Sequence, residues 1–483
     1  MPGQPSSTDG KTFPRRRPRK VILAAAAVAV VLFIVAWRRV DQSLRVATGL
    51  VSHTLCSETF VCGLDPDQVY EEILRPMPAL RRIRGAVRYH IDRGRREVRA
   101  SVAGRFGSRA VYRDRLGCIL VRGEEPPKLP FSGAVDAQER AAAPLLPEIA
   151  GPALVEPLND GLRAALDRAF AEPAHGPYRR LKAIVVVHNG RVVAERYAPG
   201  IDLAVPLIGY SVSKSVVNAM VGILVRQGRL SVEQPVPVPA WSEPSDPRHA
   251  ITLDNLLRMT SGLALDEKGF ALDPVARMLY LERDMAEFAE RAPLQASPGR
   301  TWNYSSGNTL ILSRVVRDMV GGDADDILKF AQRELFGPLG IRNVTLDFDA
   351  TGTPVASTFI FAPARDWARF GMLYLDDGVV GGRRILPEGW VRYSSSPTLD
   401  TDYGAGFWTN PGAAEAASAR ERLGFPREAF MASGLLGQRI VIIPSARLVI
   451  VRFGVTQIWP GFDYEGLGRL VADVIAAVGT LPR

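Results

Sequence analysis

Seven lysines stand against 53 arginines in this chain, and one of them, Lys214, lies three residues after Ser211. The segment Gly209-Tyr210-Ser211-Val212-Ser213-Lys214-Ser215 leads straight into residues 216–225, which carry no charge. That run reads as a helix, with Ser211 at its N-terminus and Lys214 one turn on, on the same face. A serine hydroxyl is a weak nucleophile and needs a base within hydrogen-bond reach. A lysine is such a base only when its pKa falls, which burial achieves. A helix apolar on nearly all sides is a buried one, so Lys214 is expected to be buried too. The helix start also offers a backbone N–H to a developing oxyanion. Ser-x-x-Lys alone is a weak signal, since an N-capping serine followed by a solvated lysine looks the same.

Two further segments could complete such a site. Trp302-Asn303-Tyr304-Ser305-Ser306-Gly307-Asn308 precedes an expected helix, and Tyr304 there could carry protons between the serine oxygen and a leaving group. The alternative is a loop aromatic covering the core. Ala432-Ser433-Gly434-Leu435-Leu436-Gly437-Gln438 lies between two expected strands, 429–433 and 439–444. A glycine-bounded strand edge can present a backbone N–H to a carbonyl oxygen. The alternative there is an ordinary hairpin turn.

The elements that must hold these residues follow from periodicity. A helix is expected over 156–170, then two strands within 183–197 around His188-Asn189-Gly190. Helices are expected at 212–228, 253–260, 283–291, 308–320, 324–335 and 363–377. Strands return at 403–408, 429–433, 439–444 and 447–454, and a helix over 467–478 follows. Strands at both ends can pair as one antiparallel sheet flanked by helices, with a helical insert near 241–296. Upstream, 65–74 reads as a helix, 85–92 and 96–103 as a hairpin, and 109–122 as more strand. The domain organisation expected is a disordered tail over 1–20, an anchor over 21–37, a small α+β unit over 40–125, a Pro-rich linker over 126–154 and the main domain over 155–483.

The 483 residues exceed one ordinary core. The net charge is +9, but residues 1–39 hold eight Lys and Arg against Asp9, so +7 lies there and +2 in the rest. That distribution speaks against a nucleic-acid partner. Residues 21–37 are uncharged and flanked by arginines, close to the lower length limit for a bilayer span. The larger basic cluster is N-terminal, so the tail is expected in the cytoplasm. This predicts a single-pass inner-membrane protein with its catalytic part on the periplasmic side. A cleaved signal peptide is the alternative, although no good cleavage site follows the run. For the three cysteines, one disulfide and one free thiol are expected in an exported protein. Cys56–Cys118 is the first choice, Cys62–Cys118 the second, and three free thiols remain open.

The ordered set of Ser-x-x-Lys, Tyr-Ser-Ser and a glycine-bounded strand turn resembles the penicillin-recognising serine hydrolases. Residues 155–483 are similar to the branch with class C β-lactamases, related esterases and 6-aminohexanoate-dimer hydrolases. Residues 256–263, 297–308, 364–378 and 383–390 carry the likeness further. The resemblance implies an α+β, β-lactamase-like (DD-peptidase) fold, an antiparallel sheet with flanking helices plus a helical subdomain. It implies Ser211 as nucleophile, Lys214 as base and Tyr304 as second proton carrier. The N–H groups of Ser211 and Leu435 would form the oxyanion hole, and Ser306 and Gly434 would contact substrate. Ser306 stands where many β-lactamases have Asn. Ala432-Ser433-Gly434 stands where they have Lys-Thr-Gly or Lys-Ser-Gly, so the motif itself offers no cation for a β-lactam carboxylate.

No Gly-x-Ser-x-Gly, phosphate loop or paired histidine spacing is present, so neither a metal nor another cofactor is expected. Asp347 to Gly352 reads as a polar hairpin turn rather than a calcium loop, lacking the later bidentate glutamate. The expected function is ester or amide hydrolysis through an acyl-enzyme on Ser211, tethered to the membrane. The alternatives are a β-lactamase or D-Ala-type peptidase on the same scaffold, or an inactive binding protein.

Overall fold

The computed structural model describes residues 18–123, 125–130, 143–269, 272–458 and 461–481. The tail over 1–17 and linker residues 131–142 lie outside the described residues. Helix α1 runs unbroken over Pro18–Phe60, well past the expected end at Trp37. Arg38 and Arg39 end the apolar run but not the helix, because arginine is a good helix former and no proline intervenes before Pro66. Residues 23–40 are exposed, and α1 is long and apolar enough there to cross a membrane.

From Val46 onward α1 is largely buried, against a four-stranded antiparallel sheet of β1 (Val87–Asp92), β2 (Glu97–Val102), β3 (Phe106–Arg113) and β4 (Gly117–Val121) in that order. Residues 109–122, expected as strand, divide into the end of β3 and β4 around a tight turn with Arg115 at positive φ. Asp65 caps a helical turn, Pro66–Val69, that continues as a π-turn over Tyr70–Leu74. The Cys56–Cys118 disulfide ties α1 to β4, and Cys62 is buried with a free thiol.

The main domain is built on β5 (Leu181–His188) and β6 (Arg191–Tyr197). Strands β7 (Leu207–Ile208), β8 (Thr345–Leu346) and β9 (Ile360–Ala362) form a small sheet, and β10 (Val379–Val380) pairs with β11 (Arg383–Arg384). Then come β12 (Trp408–Thr409), β13 (Phe430–Gly434), β14 (Gln438–Ile443) and β15 (Leu448–Gly454). The principal sheet has six antiparallel strands in the order β12-β13-β14-β15-β5-β6. Its two ends of chain thus meet at the β15–β5 pairing, as the strand pattern implied. Asn189 and Gly190 both have positive φ, the geometry a two-residue hairpin turn requires.

Both faces of the sheet are covered, which is why β5 reads as an almost continuous apolar run rather than an alternating one. Ile184, Val186, Val441 and Ile450 pack under helices Asp160–Phe170 and Tyr464–Val478. Ala183, Val185, Ile440 and Val451 face the larger core with helices Ala364–Leu375 and Ser213–Arg226. Residues 403–408 do not form the expected strand. Gly406 takes φ +79°, and helix Ser213–Arg226 binds the segment's carbonyls, Ser215 Oγ to Gly406 O at 2.6 Å and Asn218 Nδ2 to Ala405 O at 2.8 Å. Only Trp408 continues into strand β12.

A buried carboxylate of the main domain gathers several groups of the N-terminal unit. Asp347 accepts from Cys118 N at 3.1 Å and Ser57 Oγ at 3.3 Å, and pairs with His53 Nε2 at 3.2 Å. Residues 347–352 form a hairpin turn, in which Asp349 accepts the backbone N–H groups of Thr351 and Thr353. Gly117 makes the approach possible: it has φ +63°, and a Cβ there would lie 1.7 Å from Asp347 Oδ1. Gly117→Ala is therefore expected to destabilise the protein by about 1–3 kcal/mol through overpacking and backbone strain. Denaturant unfolding of the full-length protein in detergent measures this; an unchanged midpoint would mean the two units are not held together here.

Candidate functional site

The chain enters the site from β7 and turns sharply. Gly209 N bonds to Ile360 O at 2.8 Å, and Tyr210 adopts φ +46°, a strained value for a non-glycine residue. A short 3₁₀ turn, Tyr210–Val212, leads into helix Ser213–Arg226, so Ser211 projects from the bend while Val212 onward is buried. Residues Ser213 to Leu224 are all buried, as the uncharged run implied.

Lys214 lies one turn below Ser211 and is 3% exposed. Its Nζ donates to Ser211 Oγ at 3.0 Å, to Ser306 Oγ at 3.0 Å and to the Ser357 carbonyl at 2.9 Å. Those acceptors match the donors of one ammonium group. Burial lowers the Lys214 pKa to about 8, opposed by the negative charge of Glu267. Tyr304 lines the same cavity as Ser211, and its ring centroid lies 5.0 Å from Lys214 Nζ. Burial, with Tyr403 and Glu267 nearby, pushes its phenol well above the usual value. Trp302, Tyr403 and Trp408 pack around the Tyr304 ring at 5.6–6.2 Å between centroids.

The strand edge closes the site from the other side. A Cβ on Gly434 would lie 2.2 Å from Gly209 O, so only glycine lets β13 approach the bend before Ser211. Gln438 fixes the following turn, donating to Leu435 O at 3.2 Å and to Gly454 O at 2.7 Å while accepting from Gly454 N at 2.9 Å. Ser211, Tyr304, Gly434 and Leu435 line one cavity of about 520 Å³. Ser306 is placed differently. It is buried behind Lys214, and its N–H and Oγ donate to Glu267 at 2.6 and 3.1 Å, so it orients the lysine and glutamate rather than facing the cavity.

Three charged residues of this cavity gave no sequence signal. Glu267 comes from a loop of the helical insert with no periodic pattern around it. Arg439 enters from β14, in register with Ser433 of β13; that pairing could have pointed to it once the two strands were aligned. It is 6% exposed, its Nη1 donates to Gly434 O at 2.9 Å, and its Nε has no partner. Burial lowers the Arg439 pKa to about 10. Glu58 comes from α1, in the unit to which the sequence reading gave no function.

The Beta-lactamase family profile matches residues 168–474. The 6-aminohexanoate-dimer hydrolase of Paenarthrobacter ureafaciens is 29% identical over 229 residues, covering 43% of this chain and 55% of that protein, so the chain matches about half of this relative's length. A solved Bacillus anthracis structure, provisionally assigned as a 6-aminohexanoate-dimer hydrolase, superposes with TM-score 0.52 at 23% identity, covering 63% of this chain and 81% of the other. A family VIII carboxylesterase superposes with TM-score 0.52 at 16% identity, covering 68% of this chain and all of its own. At such identities the structures speak to the fold, while the profile spans well over half of the chain. The chain belongs to the Beta-lactamase family of hydrolases.

Proposed function

We propose that this protein is a serine hydrolase that cleaves an ester or amide bond through an acyl-enzyme on Ser211. The observation that carries this is the 3.0 Å contact of the buried Lys214 Nζ with Ser211 Oγ. In its neutral form Lys214 takes the Ser211 proton as Oγ attacks the carbonyl carbon. The backbone N–H groups of Ser211 and Leu435 hold the oxyanion that forms. Tyr304, a neutral phenol at rest, gives its proton to the leaving group and regains one from Lys214. Water then attacks the acyl carbon, and its proton returns the serine to the free hydroxyl. Gly434 contributes the strand edge along which the acyl group lies, and Ser306 keeps Lys214 in line. The relative named for 6-aminohexanoate dimers and the carboxylesterase support an amide or ester substrate. The exposed apolar part of α1 serves as an uncleaved single-pass anchor, with the tail in the cytoplasm and the hydrolase outside it. Its continuation into the wall of the cavity supports retention of the helix.

A β-lactamase or D-Ala-type peptidase reading is favoured by one observation. Arg439 brings a buried cation with a partnerless Nε to the cavity, where a substrate carboxylate could meet it. Turnover of nitrocefin at rates rivalling simple esters would move the assignment to that reading.

A fluorophosphonate probe is expected to label Ser211 in the wild type and to fail in Lys214→Ala, with the adduct mapped by mass spectrometry. Equal labelling of the variant would remove Lys214 as the base. The pH profile gives a second check. Lys214 must be neutral to accept a proton, and its pKa lies at about 8. Below that pH, kcat/KM is expected to fall about tenfold per unit, with a plateau above it. A profile flat from pH 6 to about 9 would assign the proton transfer to another group.

A further inference from the structure

Part of the wall of the cavity that Ser211 lines is supplied by the N-terminal unit. Leu50, His53, Thr54, Ser57 and Glu58 of α1 all line it. Their spacing is one helical stripe, so the face that α1 turns toward the main domain is also a face of the cavity. The matched family region begins only at residue 168, so this wall is an addition to the family's core. The polar members of the stripe differ in what they already hold. His53 and Ser57 are engaged by Asp347. Glu58 is 4% exposed, and its Oε1 is buried without a hydrogen-bond partner. Its carboxyl otherwise receives the Cys62 thiol, and the nearest basic group acting on it, Lys182, is paired with Glu72 at 2.8 Å. Burial raises the Glu58 pKa to about 7, the position of a carboxyl that lacks a close cation.

A buried carboxylate oxygen without a hydrogen-bond partner is costly, and a ligand that supplies the partner relieves that cost. We propose that Glu58 is a specificity residue of this cavity and recognises a cationic nitrogen, a primary ammonium group, on the substrate. The aromatic rings of Phe359, Tyr304 and Trp408 in the same cavity suit the chain and the charge of such a group. Glu267 on the facing wall adds negative charge, but its carboxylate already accepts from Ser306. The proposal rests on reading this cavity as the substrate site.

Binding tests it without requiring turnover. Calorimetry on the full-length protein in detergent would compare n-hexylamine with hexan-1-ol, ligands of similar length that differ in the charged nitrogen. Hexylamine is expected to bind at least about tenfold more tightly to the wild type, and the ratio to fall to near unity in Glu58→Gln. Equal affinities in the wild type would overturn the proposal, and need no variant. A preference retained in a folded Glu58→Gln protein would also overturn it and transfer the ammonium to Glu267. If Glu58→Gln does not fold, Glu58→Asp, which keeps the charge on a shorter arm, is expected to weaken hexylamine more than hexanol; equal weakening counts against the proposal. Failure of the hydrolase reading gives a different result, with no Ser211 labelling while the amine preference persists.

Discussion

A lysine held out of water beside a serine organises this molecule. An ammonium group in an apolar interior is unfavourable unless each of its protons finds an acceptor, and Lys214 finds a serine hydroxyl, a second serine hydroxyl and a backbone carbonyl. Each acceptor comes from a different part of the chain. Ser211 is on the same turn, Ser306 starts the helix Ser306–Val320, and Ser357 precedes β9. The arrangement therefore requires the central helix, the helical region and the small sheet to be in place together. Desolvation then does the chemical tuning, lowering the lysine toward neutrality while Glu267 limits how far it falls. The bend at Tyr210 and the close approach of Gly434 serve the same end, since they bring a strand edge to the serine without a side chain between them.

The α1 wall of the cavity is held by a buried carboxyl group. Asp347 gathers the Cys118 amide, the Ser57 hydroxyl and the His53 ring from the N-terminal unit, and the disulfide within that unit holds α1 and β4 in the relation that lets all of them reach it. His53 also packs against the Phe359 ring, two residues from the carbonyl that accepts from Lys214. The latch between the units and the floor of the site are thus parts of one packed region. A helix that begins as an apolar, exposed segment ends as a wall of the cavity that Ser211 lines, which couples the position of that cavity to the position of α1.

Members of this fold family act on different bonds, and the scaffold alone does not choose among them. What distinguishes this chain lies in the lining. The strand motif carries no lysine, while a neighbouring strand returns a cation through Arg439, and two carboxylates, Glu58 and Glu267, enter from elements outside the motifs. Charge of both signs thus meets in one cavity of about 520 Å³.

The Ser-x-x-Lys segment, the tyrosine loop and the glycine-bounded turn could be picked out in the sequence as candidates because each is local: a residue type at a fixed offset from a helix start or a strand end. The uncharged run after Lys214 announced its burial, and strands at the two ends of the main domain announced their pairing. The strand expected at 403–408 failed because its carbonyls are taken by Ser215 and Asn218, a contact no local pattern records. Helix α1 outran its apolar stretch because hydropathy marks a membrane span, whereas helix length follows propensity and packing. The placement of Glu267, Arg439 and Glu58 at the cavity was decided only by tertiary structure. A charged side chain on a loop, a strand or a helix looks alike in sequence, and whether it meets water, a partner or a cavity depends on what the rest of the chain folds against it.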